Sequence, residues 1–331
     1  MLDLTVAIRA YNAAARLPEI LNKLKIQVGT EVIDWEIIVI DNNSRDNTAQ
    51  VIQEYQFTWN ERFPLKYFLE TKQGSSIARR TAMEKARGSW VAFLDDDNLP
   101  ASDWVAKAYS FSKSYPQLGA YGGQIHGEFE VEPPRNFWKI AAYLAIVERG
   151  QKPFRYSQVL PPGAGIVISK KAWLDSVPQT LFLVGPEGKS LHSKGEDMEF
   201  LACLQNSGWE IWYNPEMHIT HKIPSWRLER EYLISLIVGS GLNRFHIRMI
   251  RLRPWQRLLA FFPYLIYDFQ KALLYFIKNF ALLKTDTTTA CEMALLLSIF
   301  ISPFYLWKKW IEQKVKSMAT NMVAKKSELI P

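Results

Sequence analysis

Three adjacent carboxylates, Asp95, Asp96 and Asp97, end the apolar run Val91-Ala92-Phe93-Leu94. A carboxylate at the edge of a core is costly, and neighbouring carboxylates repel, unless a cation meets them. Their oxygens are hard ligands suited to Mg2+ or Mn2+, and Mg2+ sites commonly combine one or two carboxylates with substrate phosphates. A metal held there would neutralise a diphosphate. The plainer alternative is an acidic loop capping the next helix, with Asn98 and Pro100 as turn residues, and a D-x-D by itself does not decide between them. A second apolar run, "WEIIVID" (35–41), also ends in a carboxylate, Asp41. Further on, "GED" (195–197) opens a helix-like segment, and "HITHKIP" (218–224) holds His218 and His221.

The elements that must position these groups alternate along the first two-thirds of the chain. "LTVAIRAYN" (4–12), "WEIIVID" (35–41), "LKYFLE" (65–70) and "SWVAFLDDD" (89–97) read as strands. Between them, 16–28, 48–55 and a segment capped by Ser75 or Ser76 and stopped at Gly88 read as helices. Strands alternating with helices predict a mostly parallel α/β sheet covered on both faces, with ligand beyond the carboxyl ends of the strands. Both Asp41 and Asp95 stand at such ends. In the middle, "YGGQIHGEF" (121–129) and "PPGAGIVISKKAW" (161–173) read as strands with glycine-rich bends. "GEDMEFLACLQNSG" (195–208) reads as a helix opened by acidic residues, and 209–224 as a strand followed by a histidine-bearing turn.

Composition sets the class. The 331 residues are 48% hydrophobic and 22% charged, as in an ordinary globular protein. Two cysteines, Cys203 and Cys291, are too few for a disulfide framework and favour a reducing compartment. No secretory leader is read at the N-terminus. Residues 1–221 hold 23 Lys+Arg against 26 Asp+Glu, or −3, and the remaining 110 hold 17 against 7, or +10. That asymmetry predicts two parts, 1–224 and a basic, apolar, helical 225–331. Seven arginines from Arg227 to Arg257 lead into apolar runs at 258–283 and 293–307. The first is broken by Asp268, Lys271 and Lys278, and the second is 15 residues long and contains Pro303. A bilayer span needs about 20 apolar residues, so neither is read as a span. Basic-flanked apolar faces fit helices lying in a membrane interface, and the alternative is a helical subdomain packed on the sheet.

"IRAYN", "DNNSRDNT", "QGSSIARR", "FLDDDN" and "GED" occur in this order, each after a strand or at a helix start. Over residues 4–224 the chain resembles the inverting family 2 glycosyltransferases of GT-A fold. The "FLDDDNLP" loop and the "HITHKIP" tail are similar to members from exopolysaccharide clusters, including hormogonium-polysaccharide transferases. The resemblance implies that Tyr11, Asn12 and Asp41 bind the nucleoside and that Gly74 lets backbone approach the ligand. It places Arg79 on the nucleotide side of its helix, Asp95 on the ribose and Asp96 beside it. Asp97 would ligate a divalent metal, Mg2+ or Mn2+, with His221 joining it. Asp197 would be the general base, Glu196 its supporting neighbour, and Gly163, Ala164 and Gly165 the small-residue wall of the donor and acceptor pocket.

For Asp41 the residues also allow an Asx turn, for Arg79 a solvated arginine, for His221 a structural hydrogen bond, and for Glu196 and Glu199 a plain preference for a helix N-terminus. The chain departs from the family pattern at Arg9, where Pro is frequent, and at Arg80 and Ala82, where Asn and Gly are frequent. No Q-x-x-R-W follows the GED, which argues against a processive synthase.

The implied function is one sugar transfer from a nucleotide-diphosphate donor, UDP favoured, to a glycan or lipid-linked acceptor at the inner face of the cytoplasmic membrane. No nucleic acid is expected as a partner. The competing class is a catalytically silent, membrane-associated nucleotide-sugar binding or scaffold protein. A nucleotidyltransferase would want more basic residues in the nucleotide loop than Arg45, and no G-x-G-x-x-G supports a dinucleotide enzyme.

Overall fold

The computed structural model describes residues 2–185 and 194–327, with side chains as far as residue 312. One nine-stranded sheet runs through it. Its first half is the parallel set expected: β1 (Leu2–Ala10), β2 (Trp35–Asp41), β3 (Leu65–Leu69) and β4 (Gly88–Asp95), in spatial order β3-β2-β1-β4. All seven residues of β2 are buried, as a central strand covered on both faces requires. Its one internal charge, Glu36, is met by Thr5, Lys66 and Arg87. The crossover helices are α1 (Leu17–Lys25), α2 (Thr48–Thr58) and α3 (Ser75–Lys85). In α1 the buried residues Leu17, Ile20, Leu21 and Leu24 fall on one helical stripe, which is what seats it on the sheet.

The second half is mixed rather than mostly parallel. β4 pairs antiparallel with β8 (Val167–Ser169), β8 antiparallel with β6 (Leu118–Phe129), and β6 parallel with β9 (Glu210–Ile223). The edges are β5 (Asn98–Pro100) and β7 (Phe154–Arg155), both antiparallel to β9. Around this half lie α4 (Trp104–Phe111), α5 (Lys170–Ser176) and α6 (Glu196–Asn206). The segment 161–173 therefore ends in a helix. Both histidines of the late motif lie inside β9 and not in a turn after it, since β5 extends the ladder across them.

Beyond β9 come α7 (Arg230–Leu242), α8 (Arg244–Ile250), α9 (Pro254–Asn279) and α10 (Thr287–Ser327). Phe137, Leu144, Ile223, Leu233, Ile237 and Cys291 form a second apolar cluster beside the sheet's own core. α9 leaves an apolar surface uncovered, with Leu258, Phe262 and Ile266 exposed, while Asp268 and Ala272 face inward. The apolar part of α10 is longer than the 15-residue run suggests: Thr287–Glu312 contains an 18-residue stretch of mean hydropathy 1.6 and is long and apolar enough to cross a membrane, by length and composition only, with 44% of that stretch buried against the protein. The helix continues through Pro303, which is why the run did not read as one element.

Candidate active site

At the carboxyl ends of β1 and β4 the three aspartates each meet a different arginine. Parallel pairing of β1 with β4 sets Arg9 opposite Asp95, and the two side chains form an ion pair, with Arg9 also donating to Ser75 Oγ. Asp96 is held by Arg16, from Nε at 3.2 Å and Nη2 at 2.8 Å. Burial, with Asp97 and Asp95 alongside, still pushes the Asp96 carboxyl up to about 6. Asp97 receives Arg227 Nη1 at 2.8 Å. Burial works against its charge, yet with Arg227 beside it the carboxyl stays below its ordinary range. The cations that relieve the acidic loop are thus protein side chains, two of them from outside the motifs that mark the site.

Asp97 and His221 are brought together, because β5 and β9 pair with Asn98 opposite His221. Asp97 Oδ2 lies 3.3 Å from His221 Nε2. His221 Nδ1 lies 2.8 Å from the Leu144 carbonyl oxygen, which can only accept, so Nδ1 carries the proton and Nε2 presents its lone pair. A carboxylate oxygen and an imidazole lone pair at that separation fit two adjacent ligands of one small divalent cation. Among the described residues no group of three or more His, Cys, Asp or Glu side chains converges, so a cation there would complete its shell from phosphate and water.

On the same cavity, α6 begins with Glu196, Asp197 and Glu199 in its first turn, where the helix dipole favours acid. Asp197 Oδ1 accepts from Arg79 Nη2 at 2.5 Å and Oδ2 from the backbone N–H of Gly163 at 3.0 Å. A Cβ at Gly163 would lie 2.3 Å from the Asp197 oxygens, so glycine is what lets this loop cradle the carboxylate. Arg79 is fully buried and flat against Phe93 and Phe200, 4.6 and 4.9 Å from their ring centres. It therefore meets Asp197 and not the open cavity where a nucleotide would lie. Burial, then Asp197 beside it, raises Glu196. Glu199 accepts from the Phe182 and Leu183 amides, a purely structural arrangement.

The cavity between these walls has a volume of about 720 Å3. Tyr11, Asp95, Asp96, Asp97, Gly163, Ala164, Glu196, Asp197 and His221 all line it. Five of the sequence candidates do not: Arg79, placed above, and four more. Asn12 is exposed, with its amide oxygen taken by the Arg45 N–H. Asp41 is buried and accepts from Ser44 N and Tyr67 Oη, both at 2.9 Å, which is the Asx-type bend. Gly74 (φ +140) stands at the start of α3 with no serine cap, and a Cβ there would sit 2.5 Å from Val184 Cγ1, so its close approach is to protein and not to the cavity. Gly165 (φ +65) turns the chain behind the wall, against Ile219. Residues missed by the sequence reading also line the cavity: Arg9, Arg16, Asn42, Arg149, Lys194, Arg227, Arg244 and Arg251. Arg227 and Arg244 belong to the arginine series that was read only as a basic region, six residues past His221 onward.

Residues 5–175, just over half of the 331, match the family model described as glycosyl transferase family 2. The chain is similar to glycosyltransferase AglE of Haloferax volcanii, 31% identical over 107 residues that cover 32% of this chain and 34% of AglE. It is also similar to the GalNAc(5)-diNAcBac-PP-undecaprenol beta-1,3-glucosyltransferase of Campylobacter jejuni, 34% identical over 100 residues, or 30% of each chain. The matched stretch spans about a third of these relatives' length. Among solved structures, mannosyltransferase PcManGT from Pyrobaculum calidifontis in complex with GDP-Man and Mn2+ has a TM-score of 0.59, covering 93% of this chain and 90% of that one at 18% identity, a likeness of fold.

Proposed function

The chain belongs to glycosyl transferase family 2 and has the GT-A fold, and we propose that it moves one sugar from a nucleotide-diphosphate-sugar donor to a glycan or lipid-linked acceptor in polysaccharide biosynthesis, with inversion at the transferred carbon. The observation that carries this reading is that the Asp97–His221 pair and the Asp197 carboxylate line one cavity. Asp197 takes the proton of an acceptor hydroxyl as that oxygen attacks the anomeric carbon, and the bond from that carbon to the diphosphate breaks. Arg79 and the Gly163 N–H hold the carboxylate in place. Asp97 and His221 would hold a divalent cation, Mg2+ or Mn2+, whose chemistry is to neutralise charge on the departing diphosphate. Asp95, Asp96 and Tyr11 line the donor end, and UDP is the nucleotide favoured.

Arg149, Arg244 and Arg251, which also line the cavity, suit an anionic acceptor such as a lipid-linked diphosphate, the class for which the Campylobacter relative is named. The exposed apolar surface of α9, set among basic residues, supports docking of residues 225–331 on the inner face of the cytoplasmic membrane. Calorimetry with UDP and GDP, with and without Mn2+, on wild type and Asp97→Ala tests the donor half. Metal-dependent binding that vanishes in the variant is expected. If UDP, GDP and dTDP all fail to bind, also in a membrane-mimetic buffer, the transferase reading falls.

A further inference from the structure

Arg227 Nη1 lies 2.8 Å from Asp97 Oδ2 and 2.9 Å from His221 Nε2, the same two atoms that face each other at 3.3 Å. Both are acceptors: the first is a carboxylate oxygen, and the second is a lone pair because the ring proton is committed to Leu144 O. Two acceptors this close need a donor or a cation between them, and a guanidinium nitrogen supplies two protons, one for each. The other Asp97 oxygen is already occupied, by Asn98 Nδ2 at 2.9 Å. His221 is 6% exposed, so water is a poor substitute as its partner.

We propose that Arg227 is a built-in countercation: in the donor-free protein its Nη1 fills the position between Asp97 and His221, and it must swing out before a divalent cation can take both lone pairs. The proposal rests on the metal part of the function above. It has a further consequence, that the donor-free protein holds a divalent cation weakly and acquires it together with the diphosphate. The fold allows the exchange. Arg227 lies in the short turn Ser225–Leu228 directly after β9, its side chain is 24% exposed, and its buried Nε has no hydrogen-bond partner. Its contacts apart from Asp97 and His221 are with Tyr232 and the Trp226 ring of the same segment, which can travel with it. The released guanidinium, still tethered beside the cavity, is then free to meet phosphate charge.

The test uses Mn2+ alone on the full chain, with free Mn2+ read by electron paramagnetic resonance. Arg227→Met is expected to bind Mn2+ at least about tenfold more tightly than wild type, since no charge-assisted pair has to be broken. Adding His221→Ala to that variant should abolish the gain. Arg244→Met, which removes a cavity charge without touching the pair, should stay within about twofold of wild type. Should Arg227→Met fail to fold, Arg227→Lys keeps the charge on a shorter stem and is expected to show a smaller gain. An absence of gain in the folded variant, or an equal gain in Arg244→Met, overturns the proposal. If Asp97→Ala and His221→Ala then still abolish Mn2+-dependent UDP binding, the functional reading survives without it. If no variant binds Mn2+ with or without UDP, the metal part of that reading fails and the proposal with it.

Discussion

Asp197→Asn keeps the shape of the side chain and removes its charge. In the wild-type fold each of its oxygens accepts one hydrogen bond, one from Arg79 at 2.5 Å and one from the Gly163 amide at 3.0 Å, which leaves lone pairs for an incoming proton. Arg79 is 0% exposed between two phenyl rings and cannot turn to solvent when its counter-ion is lost. Removing one partner of a buried ion pair costs about 3–5 kcal/mol. Here the asparagine retains one acceptor oxygen, and the carboxylate side is 24% exposed. The expected loss is therefore nearer to about 2–3 kcal/mol, read as a lower urea midpoint at unchanged m.

Loss of the base should cut kcat by about 10^2–10^4, while nucleotide affinity stays within about threefold, because the interaction is made only as the acceptor proton moves. Adding Arg79→Met removes the stranded cation together with its Nε and Nη1, which have no partners in the wild-type fold. The double variant should therefore be more stable than Asp197→Asn alone and no more active. Turnover, followed as release of nucleoside diphosphate, within about tenfold of wild type in Asp197→Asn would refute the base assignment. A double variant no more stable than the single one would refute the buried pair.

Two further outcomes are expected. Burial pushes Lys194 down to about 8, with Glu196, Asp197 and Asp95 opposing the fall and Arg227 adding to it. A bound diphosphate would restore its proton, so nucleotide affinity should decline as pH rises through about 8, and Lys194→Met should flatten that limb in a calorimetric pH series; equal profiles would exclude Lys194 from the donor site. The stability sign is opposite: between about 8 and about 10.4 the unfolded chain binds more protons than the fold, so the free protein should gain stability with pH in that window. On α9, Leu258, Phe262 and Ile266 are 81%, 67% and 57% exposed at four-residue spacing. Leu258→Glu/Phe262→Glu/Ile266→Glu forfeits roughly 2 kcal/mol of apolar burial per site and should abolish cosedimentation with anionic vesicles without altering UDP binding. Wild-type protein that stays in the supernatant would refute membrane docking.

The parallel half of the sheet was legible because its signals are local. The apolar run of β2 ends at Asp41 in both sequence and structure, and α1 shows its buried stripe in the spacing of Leu17, Ile20, Leu21 and Leu24. The second half was less so: β8 is three residues long, and the strand over 210–223 was cut short in the reading because its last part is stabilised by a distant edge strand. Nine of the residues named from the order of the motifs line the cavity, from Tyr11 to His221.

What the sequence by itself determined is which residues stand at strand ends and helix starts, since strand period, turn chemistry and helix termini are written within a few residues of each other. Which charges meet was decided only by the tertiary structure. Arg9 reaches Asp95 through the register of two parallel strands 86 residues apart, Arg79 reaches Asp197 across 118 residues, and Arg227 reaches Asp97 across 130. A guanidinium finds its carboxylate through sheet order and register, and neither is encoded in the spacing around either partner. For that reason Asp41 and Gly74, plausible ligands by position, became a turn and a packing contact, while Arg227, read only as part of a basic series, came to stand between Asp97 and His221.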